Sequence, residues 1–324
     1  MMLRRQVPRL ISRPTNLPAF SVPIVFRSNY NSSAASTNGK ILSRSRTGSF
    51  GQMLFVGVTA TTGVAAFSTS VANTQSNTEF DFTMYQYEIC PFCNKVKAVM
   101  DYLKLPYSVV EVDPVSKKQI KELGSDYKKV PIGMMDGEQI NDSPVILQRV
   151  LEVAKARNLL TPEQIQQLEV GSKGAEDVKK WVEWSDKGLA VLIFPNITAT
   201  MSESLEAFSY IKHVEGWGTF QKMYLSFLGG VAMKMANGKI KKKYGIEDHR
   251  QALYDAIALW VEQVGTSQFH GGANPDLADL AVYGVLRSVH HTRAHAEVLE
   301  STEVGEWYSR MASLLGPGGP YPPK

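Results

Sequence analysis

Cysteine is scarce in this sequence: its 324 residues contain two, Cys90 and Cys93, within four positions of each other. A disulfide framework needs more cysteines than this. A zinc site needs about four ligands, and the chain has no second cysteine pair, so we expect no metal centre. The spacing favours a redox or nucleophilic site, with two buried structural thiols as the alternative.

Acidic residues are absent from residues 1–78, which carry eight of the 35 lysines and arginines. An acid-free segment rich in Arg, Ser, Thr and Asn is typical of a transit peptide, and it predicts import into mitochondria or a plastid. Ordinary basic disorder is the alternative. The remaining residues carry 27 basic and 31 acidic side chains, so we expect no nucleic-acid partner.

A long, strongly apolar run is also missing. Residues 50–71 are uncharged and about as long as the 20 residues that a bilayer span requires. Because threonines and glycines weaken the hydrophobicity of this segment, it is either a marginal single-pass anchor or a flexible linker. We assign residues 1–79 as a leader that includes this segment.

Residues 80–157 alternate strand and helix patterns. Aromatic and polar residues alternate over 80–87, and apolar residues recur at helical spacing over 90–104. The segments that follow are a strand at 107–112, a short helix at 117–123, a hairpin of strands at 132–135 and 138–140, and a helix from 141 onwards. The predicted order is therefore β-α-β-α-β-β-α.

Residues 175–315 show helical periodicity and no convincing strand, so we expect an all-α second domain. The predicted helices are 175–193, 203–214, 219–235, 247–264, 277–291 and 304–315. Asp276 and Asp279 have the spacing of a capping box, which gives Asp279 a structural role. Residues 158–174 are predicted to be a linker and residues 316–324 a loose tail.

The chemistry is predicted at Cys90, between a strand and a helix. There the N–H groups and the positive dipole end of the helix stabilise a thiolate and lower its pKa. Cys90 is the expected nucleophile, whereas Cys93, one turn further, is either inert or resolves a mixed disulfide formed at Cys90.

A lysine-rich segment stands out in the second domain. Lys234, Lys239 and Lys241 to Lys243 cluster next to an apolar helix pattern. Such a cluster is usually a solvated face, but it could also rest on an anionic membrane surface.

Three stretches carry a resemblance to a known family. They are YQYEICPFCNKVKAVMDYLKLPYSVVEVD, KVPIGMMDGEQINDSPVIL and NPDLADLAVYGVLR. The first two resemble the glutaredoxin-like N-terminal half of glutathione transferases, and all three together resemble the membrane-associated type 2 prostaglandin E synthases over roughly residues 80–315. The resemblance implies a thioredoxin-like α/β domain followed by an all-α domain, as in glutathione transferases.

The same resemblance implies a glutathione site. Val130 and Pro131 stand in the place of the family's Val and cis-Pro, and Val130 would offer its main chain to the cysteinyl part of glutathione. Asp142 and Ser143, at a predicted helix start, would hold the γ-glutamyl part, and either can also act as the N-cap.

Two aromatic residues next to the thiol complete the implied site. Tyr87 and Phe92 flank Cys90 and would shape a pocket for an apolar substrate. Filling a strand or core position is the alternative, and for Tyr87 alone it is equally simple, but the joint placement of the two residues around a thiol favours the pocket.

The resemblance implies, as the leading functional prediction, an isomerase that converts a prostaglandin endoperoxide to prostaglandin E. A general glutathione-dependent thiol-disulfide oxidoreductase or transferase is the first alternative, and a haem- or lipid-binding module without turnover is the second. The resemblance also implies a homodimer, and it offers the Golgi membrane or the cytoplasm as alternative locations.

Overall fold

The structure is a computed structural model that describes residues 80–316. The predicted leader over 1–79, with its uncharged segment 50–71, lies outside the described residues, as does the predicted tail beyond Gly316. No helix within 80–316 is both long and apolar enough to cross a membrane. The described residues fall within one compact unit, so the limits of the two domains stay predictions.

A four-stranded sheet forms the centre of the first half, with strand order β2-β1-β3-β4. The strands are β1 Phe82–Gln86, β2 Ser108–Glu111, β3 Ile132–Met135 and β4 Glu138–Asn141. β1 pairs parallel with β2 and antiparallel with β3, which pairs antiparallel with β4. Asp136 and Gly137 join β3 to β4 with φ angles of 52° and 83°, the positive values that a tight hairpin turn requires.

Three helices accompany this sheet: α1 Pro91–Tyr102, α2 Lys118–Lys121 and α3 Ser143–Ala156. The predicted order β-α-β-α-β-β-α is therefore confirmed, and the first half has the thioredoxin-like fold.

The second half is helical, as predicted. Its helices are α4 Pro162–Glu169, α5 Ala175–Trp184, α6 Ala190–Ile197, α7 Met201–Ala207, α8 Thr219–Tyr244, α9 His249–Val264, α10 Leu277–Arg287, α11 Arg293–Ser301 and α12 Gly305–Leu315. A π-helical turn joins α5 to α6, and a 3-10 turn follows α7.

The segment predicted as a linker, 158–174, contains the helix α4. Thr161 and Gln164 form a complete capping box at its start, and Pro162 occupies its first turn. These are strong helix-start signals. The segment is therefore partly helical, and its role as a linker between the two domains stays a prediction.

Several helix limits in the second half also differ from the prediction, including the predicted helix 175–193, which is divided by the π-helical turn and continues to Ile197. α8 continues nine residues beyond Met235, since lysines are favourable at a helix C-terminus, and it ends at Gly245 in the left-handed conformation. The helix predicted to reach 291 ends at Arg287, where the Ser288 hydroxyl donates to a backbone carbonyl. α11 then starts afresh with Thr292 as its N-cap, which the sequence analysis missed.

The two halves meet along α1 and α10. A Cβ on Gly284 would lie 2.6 Å from the Cα of Lys95 and 2.7 Å from the carbonyl oxygen of Asn94, so only glycine allows this approach. Beside it, the buried guanidinium of Arg287 donates to Asp101 at 2.7 Å. This contact fixes α1, and with it the thiol that precedes α1, against the helical half.

Candidate functional site

The register of the sheet brings the predicted site residues to one edge. Tyr85 pairs with Ile132, and Ile132 pairs with Asn141. The chain therefore leaves β1 towards Cys90, comes into β3 from Pro131 and leaves β4 towards Asp142, all at the same edge. Residues separated by about fifty positions in the sequence meet there because antiparallel strands place a start beside an end.

Cys90 is the N-cap residue of α1. Its backbone is extended, with φ −78° and ψ 119°, and its N–H donates to the Tyr87 carbonyl at 2.9 Å. The Cys90 sulfur accepts hydrogen bonds from the Cys93 thiol and from the N–H groups of Cys93 and Phe92, and these bonds lower the pKa of Cys90. The side chain is partly exposed, so a stabilised thiolate lies within reach of a reactant.

Cys93 has the opposite environment. Its side chain is fully buried in the core, and burial, followed by its hydrogen bond to Cys90, raises its pKa well above the usual value. The two thiols therefore divide their roles: Cys90 ionises more readily than Cys93, and Cys93 donates a hydrogen bond to it.

Val130 and Pro131 lie directly before β3, and the peptide bond between them is cis. Pro131 is buried and Val130 is half-buried at the edge where β1 leads into Cys90. The structure thus brings this pair beside the thiol, as the resemblance implied.

Asp142 and Ser143 form the start of α3. Asp142 has φ 77° and accepts the Ser143 N–H at 3.0 Å, so Asp142 is the N-cap of the two candidates. Ser143 is fully buried, and its hydroxyl has no hydrogen-bond partner among the described residues. A buried hydroxyl without a partner is costly, and a polar group of a bound ligand would satisfy it.

Tyr87 and Phe92 are both half-buried on either side of Cys90. Tyr87 packs against a small cluster formed by Val112, Ile120 and Ile132, whereas Phe92 packs against the main core. Burial, followed by the charge at Cys90, raises the pKa of Tyr87 to about 12. Tyr87 is thus a neutral hydrogen-bonding group beside the thiol.

Sequence reasoning missed a carboxyl group at the same edge, Glu111, which pairs with Gln86 at the end of β2. Its carboxylate accepts the Glu88 N–H at 3.0 Å, the Gln86 side-chain amide at 3.2 Å and the Tyr210 hydroxyl. Burial, with the charge of Glu88, raises the pKa of Glu111 to about 7. No local pattern marks Glu111 as buried, because glutamate in a strand normally faces solvent.

The negative charge of Glu111 acts on Cys90 and raises the pKa of the thiol, against the hydrogen bonds that lower it. The negative charge of neighbouring Glu88 is compensated by the ammonium of Lys97, which lies 2.8 Å from it in a buried ion pair. Glu111 is therefore the carboxyl group of this edge that titrates near neutral pH.

A second missed pair lies close to Asp142. The fully buried Lys95 of α1 donates to both carboxylate oxygens of Asp186 at 2.6 Å. Burial raises the pKa of Asp186, and the charge of Asp142 raises it further. This pair connects α1 to the helical half, and no local motif in the sequence marks it.

The sequence of the first half matches a known protein family. Residues 84–158 match the family model described as the N-terminal domain of glutathione S-transferases. With the thioredoxin-like sheet, the cis-proline and the helical second half, this defines an enzyme of the glutathione transferase superfamily.

Comparison with individual proteins identifies a narrower family within this superfamily. Prostaglandin E synthase 2 of Danio rerio is 36% identical over 270 residues, which cover 72% of this chain and 71% of that protein. The Mus musculus protein of the same name is 35% identical over 283 residues, covering 76% and 73%. The chain therefore belongs to the prostaglandin E synthase 2 family.

Among solved structures, a glutathione S-transferase from Rhodospirillum rubrum superposes with a TM-score of 0.43 at 15% identity, covering 72% of this chain and 88% of that one.

Proposed function

We propose that this protein is a glutathione-binding isomerase that converts a prostaglandin endoperoxide to prostaglandin E, with Cys90 as its thiol centre. The name of the two relatives supports the substrate. The observation that carries the proposal is the Cys90 sulfur at the start of α1, with three hydrogen-bond donors directed at it and its side chain partly exposed.

Glutathione fits the polar groups at this edge. The unpartnered Ser143 hydroxyl would bind the γ-glutamyl carboxylate, the exposed Asp142 carboxylate would accept from the γ-glutamyl ammonium, and the Val130 main chain would pair with the cysteinyl residue. When bound, glutathione supplies a second thiol next to Cys90.

The reaction needs no external oxidant or reductant. The Cys90 thiolate attacks one peroxide oxygen, so an S–O bond forms, the O–O bond breaks and the other oxygen leaves as an alkoxide that takes up a proton. Loss of a proton from the carbon that bears the sulfur-bound oxygen then forms the carbonyl and returns the electron pair of the S–O bond to sulfur. The products are a ketone, a hydroxyl group and the original thiolate.

The test is an endoperoxide isomerisation assay on the purified chain, with prostaglandin E measured by mass spectrometry. Cys90→Ser should lose about 100-fold or more of the rate, since an alcohol does not ionise at neutral pH. Cys93→Ser should lose less, because the serine hydroxyl can still donate to the Cys90 sulfur and the two N–H donors remain. Full activity in Cys90→Ser would refute the assignment of the thiol.

Glutathione binding is tested separately with Asp142→Asn. Asparagine keeps a good N-cap, so the melting temperature should hardly change. The loss of a charge-assisted contact should weaken glutathione binding by roughly 1.5–3 kcal/mol, more than tenfold in Kd by calorimetry. The matched control is Asp136→Asn, an exposed aspartate that also has positive φ; equal affinities in both variants would leave Asp142 as a cap only.

A second candidate is a glutathione-dependent thiol-disulfide oxidoreductase. It is favoured by the direct hydrogen bond between the Cys93 thiol and Cys90, which puts Cys93 within reach of a mixed disulfide at Cys90. This function would be established instead if the protein reduced a glutathionylated disulfide without isomerising the endoperoxide, and if both Cys90→Ser and Cys93→Ser lost that reduction.

No observation within residues 80–316 supports haem, and purification with glutathione tests it directly, since bound haem has a Soret band.

We further propose that residues 1–78 direct the protein to mitochondria or a plastid. Cytosolic fluorescence of a reporter fused to this segment would refute that proposal.

A further inference from the structure

The long helix α8 has an exposed apolar face. Over 26 residues it spans about 39 Å. Apart from its last residue, Tyr244, the exposed large apolar side chains on it are Phe220, Met223, Phe227, Leu228 and Met235. Phe220 and Met235 are each 75% exposed. Their spacing of three, four and eight residues places them on one side of the helix.

The opposite side of α8 is also apolar and packs inward. Leu225 is buried in the core, and a Cβ on Gly229 would lie 2.6 Å from the Phe208 ring. α8 is therefore apolar on both sides along its first four turns. A helix of that kind is normally covered by another apolar body, so the outer face is a docking surface.

The charge of α8 indicates what kind of body that is. The helix carries six lysines and no acidic residue. The rest of residues 79–324 carry 21 basic and 31 acidic side chains, so α8 is a positive strip on a negative protein. Four of the lysines, at positions 239 and 241 to 243, lie in its last two turns.

We propose that α8 lies flat on an anionic lipid surface, with its apolar face among the acyl chains and its lysines at the level of the phosphates. An aromatic and aliphatic face next to lysines is the pattern of interfacial helices. A second copy of the chain fits less well, because pairing two copies of α8 would bring twelve lysines together without an acid on either helix. The proposal does not depend on the reaction at Cys90.

A label on the apolar face tests the proposal in the full chain. Met235→Cys is made in a Cys90→Ser/Cys93→Ser background and carries an environment-sensitive fluorophore. Vesicles of equal parts phosphatidylserine and phosphatidylcholine should shift its emission to the blue and raise its intensity several-fold. The control label is at Gln148→Cys, an exposed position on α3 in the other half, and it should not change.

This pair of labels separates α8 from the leader. If the leader alone holds the protein on vesicles, the protein sediments with them while neither label shifts, which would overturn the proposal. A blue shift at residue 235 that follows protein concentration without vesicles would identify a second copy as the occupant, and would overturn it as well.

The role of charge is tested by replacing the four terminal lysines of α8 with glutamine in the Met235→Cys chain. The vesicle concentration at half-maximal shift should rise about tenfold or more, and the salt dependence should weaken. The matched control removes four exposed lysines of the first half, at positions 104, 118, 121 and 128. An equal effect of both sets would mean that net charge, not α8, drives the binding, against the proposal.

Discussion

Two networks of buried polar side chains lie in the two halves of the molecule, and they differ in how completely their hydrogen-bonding groups are used. In the helical half, His270 lies between Asp276 at 2.6 Å and Asp177 at 3.0 Å. The Asp279 carboxylate accepts four N–H groups, those of His270, Gly271, Asp276 and the Trp307 indole, at 2.8 to 3.1 Å. Both oxygens of Asp279 are occupied.

The network around Cys90 is open by comparison. The thiol is partly exposed, and the Ser143 hydroxyl is buried without a partner among the described residues. Glu111 accepts the N–H of Glu88, which lies two residues before Cys90 in the chain. These groups have bonding capacity left for a ligand.

The comparison shows which property marks a functional site. Burial raises the pKa of Glu111 to about 7 and that of Asp279 to about 6, so a shifted pKa occurs in both networks. His270, Asp276 and Asp279 also bring ligand atoms within 4.8 Å of one another, yet a metal ion there would displace the N–H donors on Asp279. Buried N–H groups without a hydrogen-bond partner in the described part of the chain also occur beside His270, at Trp181 and Trp260. Partial exposure of the thiol, rather than a shifted pKa, therefore distinguishes the Cys90 edge.

The largest effect is expected from a substitution in the buried network around Asp279. Asp279→Ala leaves four buried N–H groups without an acceptor and removes the capping box of α10, so the free energy of unfolding should fall by about 3–5 kcal/mol. Urea unfolding measures this loss. The rate of Cys90 alkylation in the folded protein should stay unchanged, since Asp279 contacts no residue of that edge.

The matched control is Gln164→Ala, which removes the same residue of a capping box in exposed α4. Its cost should be about 0.5–1 kcal/mol. Similar losses for the two variants would contradict the view that the bonds to Asp279 are worth more because they are buried.

A smaller effect is expected where the two halves touch. Gly284→Ala puts a methyl group against the α1 backbone and should cost about 1–3 kcal/mol, with a slower Cys90 alkylation if α1 moves. Gly238→Ala in α8 meets no atom within 4 Å and should be neutral or stabilising by up to about 1 kcal/mol. A neutral Gly284→Ala would mean that α1 and α10 can separate freely.

The sequence predicted the parts of the site that depend on local pattern. The element order of the first half, the helical second half, the Asp276–Asp279 capping box and the cis bond before Pro131 all follow from turn residues, caps, periodicity and family resemblance, and all are present. The predicted position of Cys90 before α1 is also found.

The parts that depend on distant contacts could not be read from the sequence. Lys95 looks like a surface lysine in its helix, and only Asp186, ninety-one residues later, explains its burial. Tyr210 likewise reaches Glu111 from the helical half. The pattern of a helix or strand indicates which side is apolar, but not which buried charge will meet a partner from another element.

The smallest effect is expected at the Cys90 edge, where the charge of Glu111 acts on the pKa of the thiol. Ionised Glu111 raises the pKa of Cys90, so Glu111→Gln should lower it. The acid limb of the alkylation rate against pH should therefore move to lower pH, with a rate roughly threefold higher on that limb. Wild-type protein should titrate over a broader range, because Glu111 changes charge near pH 7.

The pH dependence of stability gives an independent test of the same variant. The pKa of Glu111 is about 7 in the folded protein, above its ordinary value of 4.5. The stabilisation from this group is present below pH 4.5 and is lost as pH rises through 7. Glu111→Gln should therefore unfold with a flatter pH dependence over that range, whereas Glu138→Gln, an exposed glutamate at the start of β4, should behave as wild type. A profile of Cys90 alkylation identical in all three proteins would remove Glu111 from the site and leave it as a structural partner of Gln86 and Tyr210.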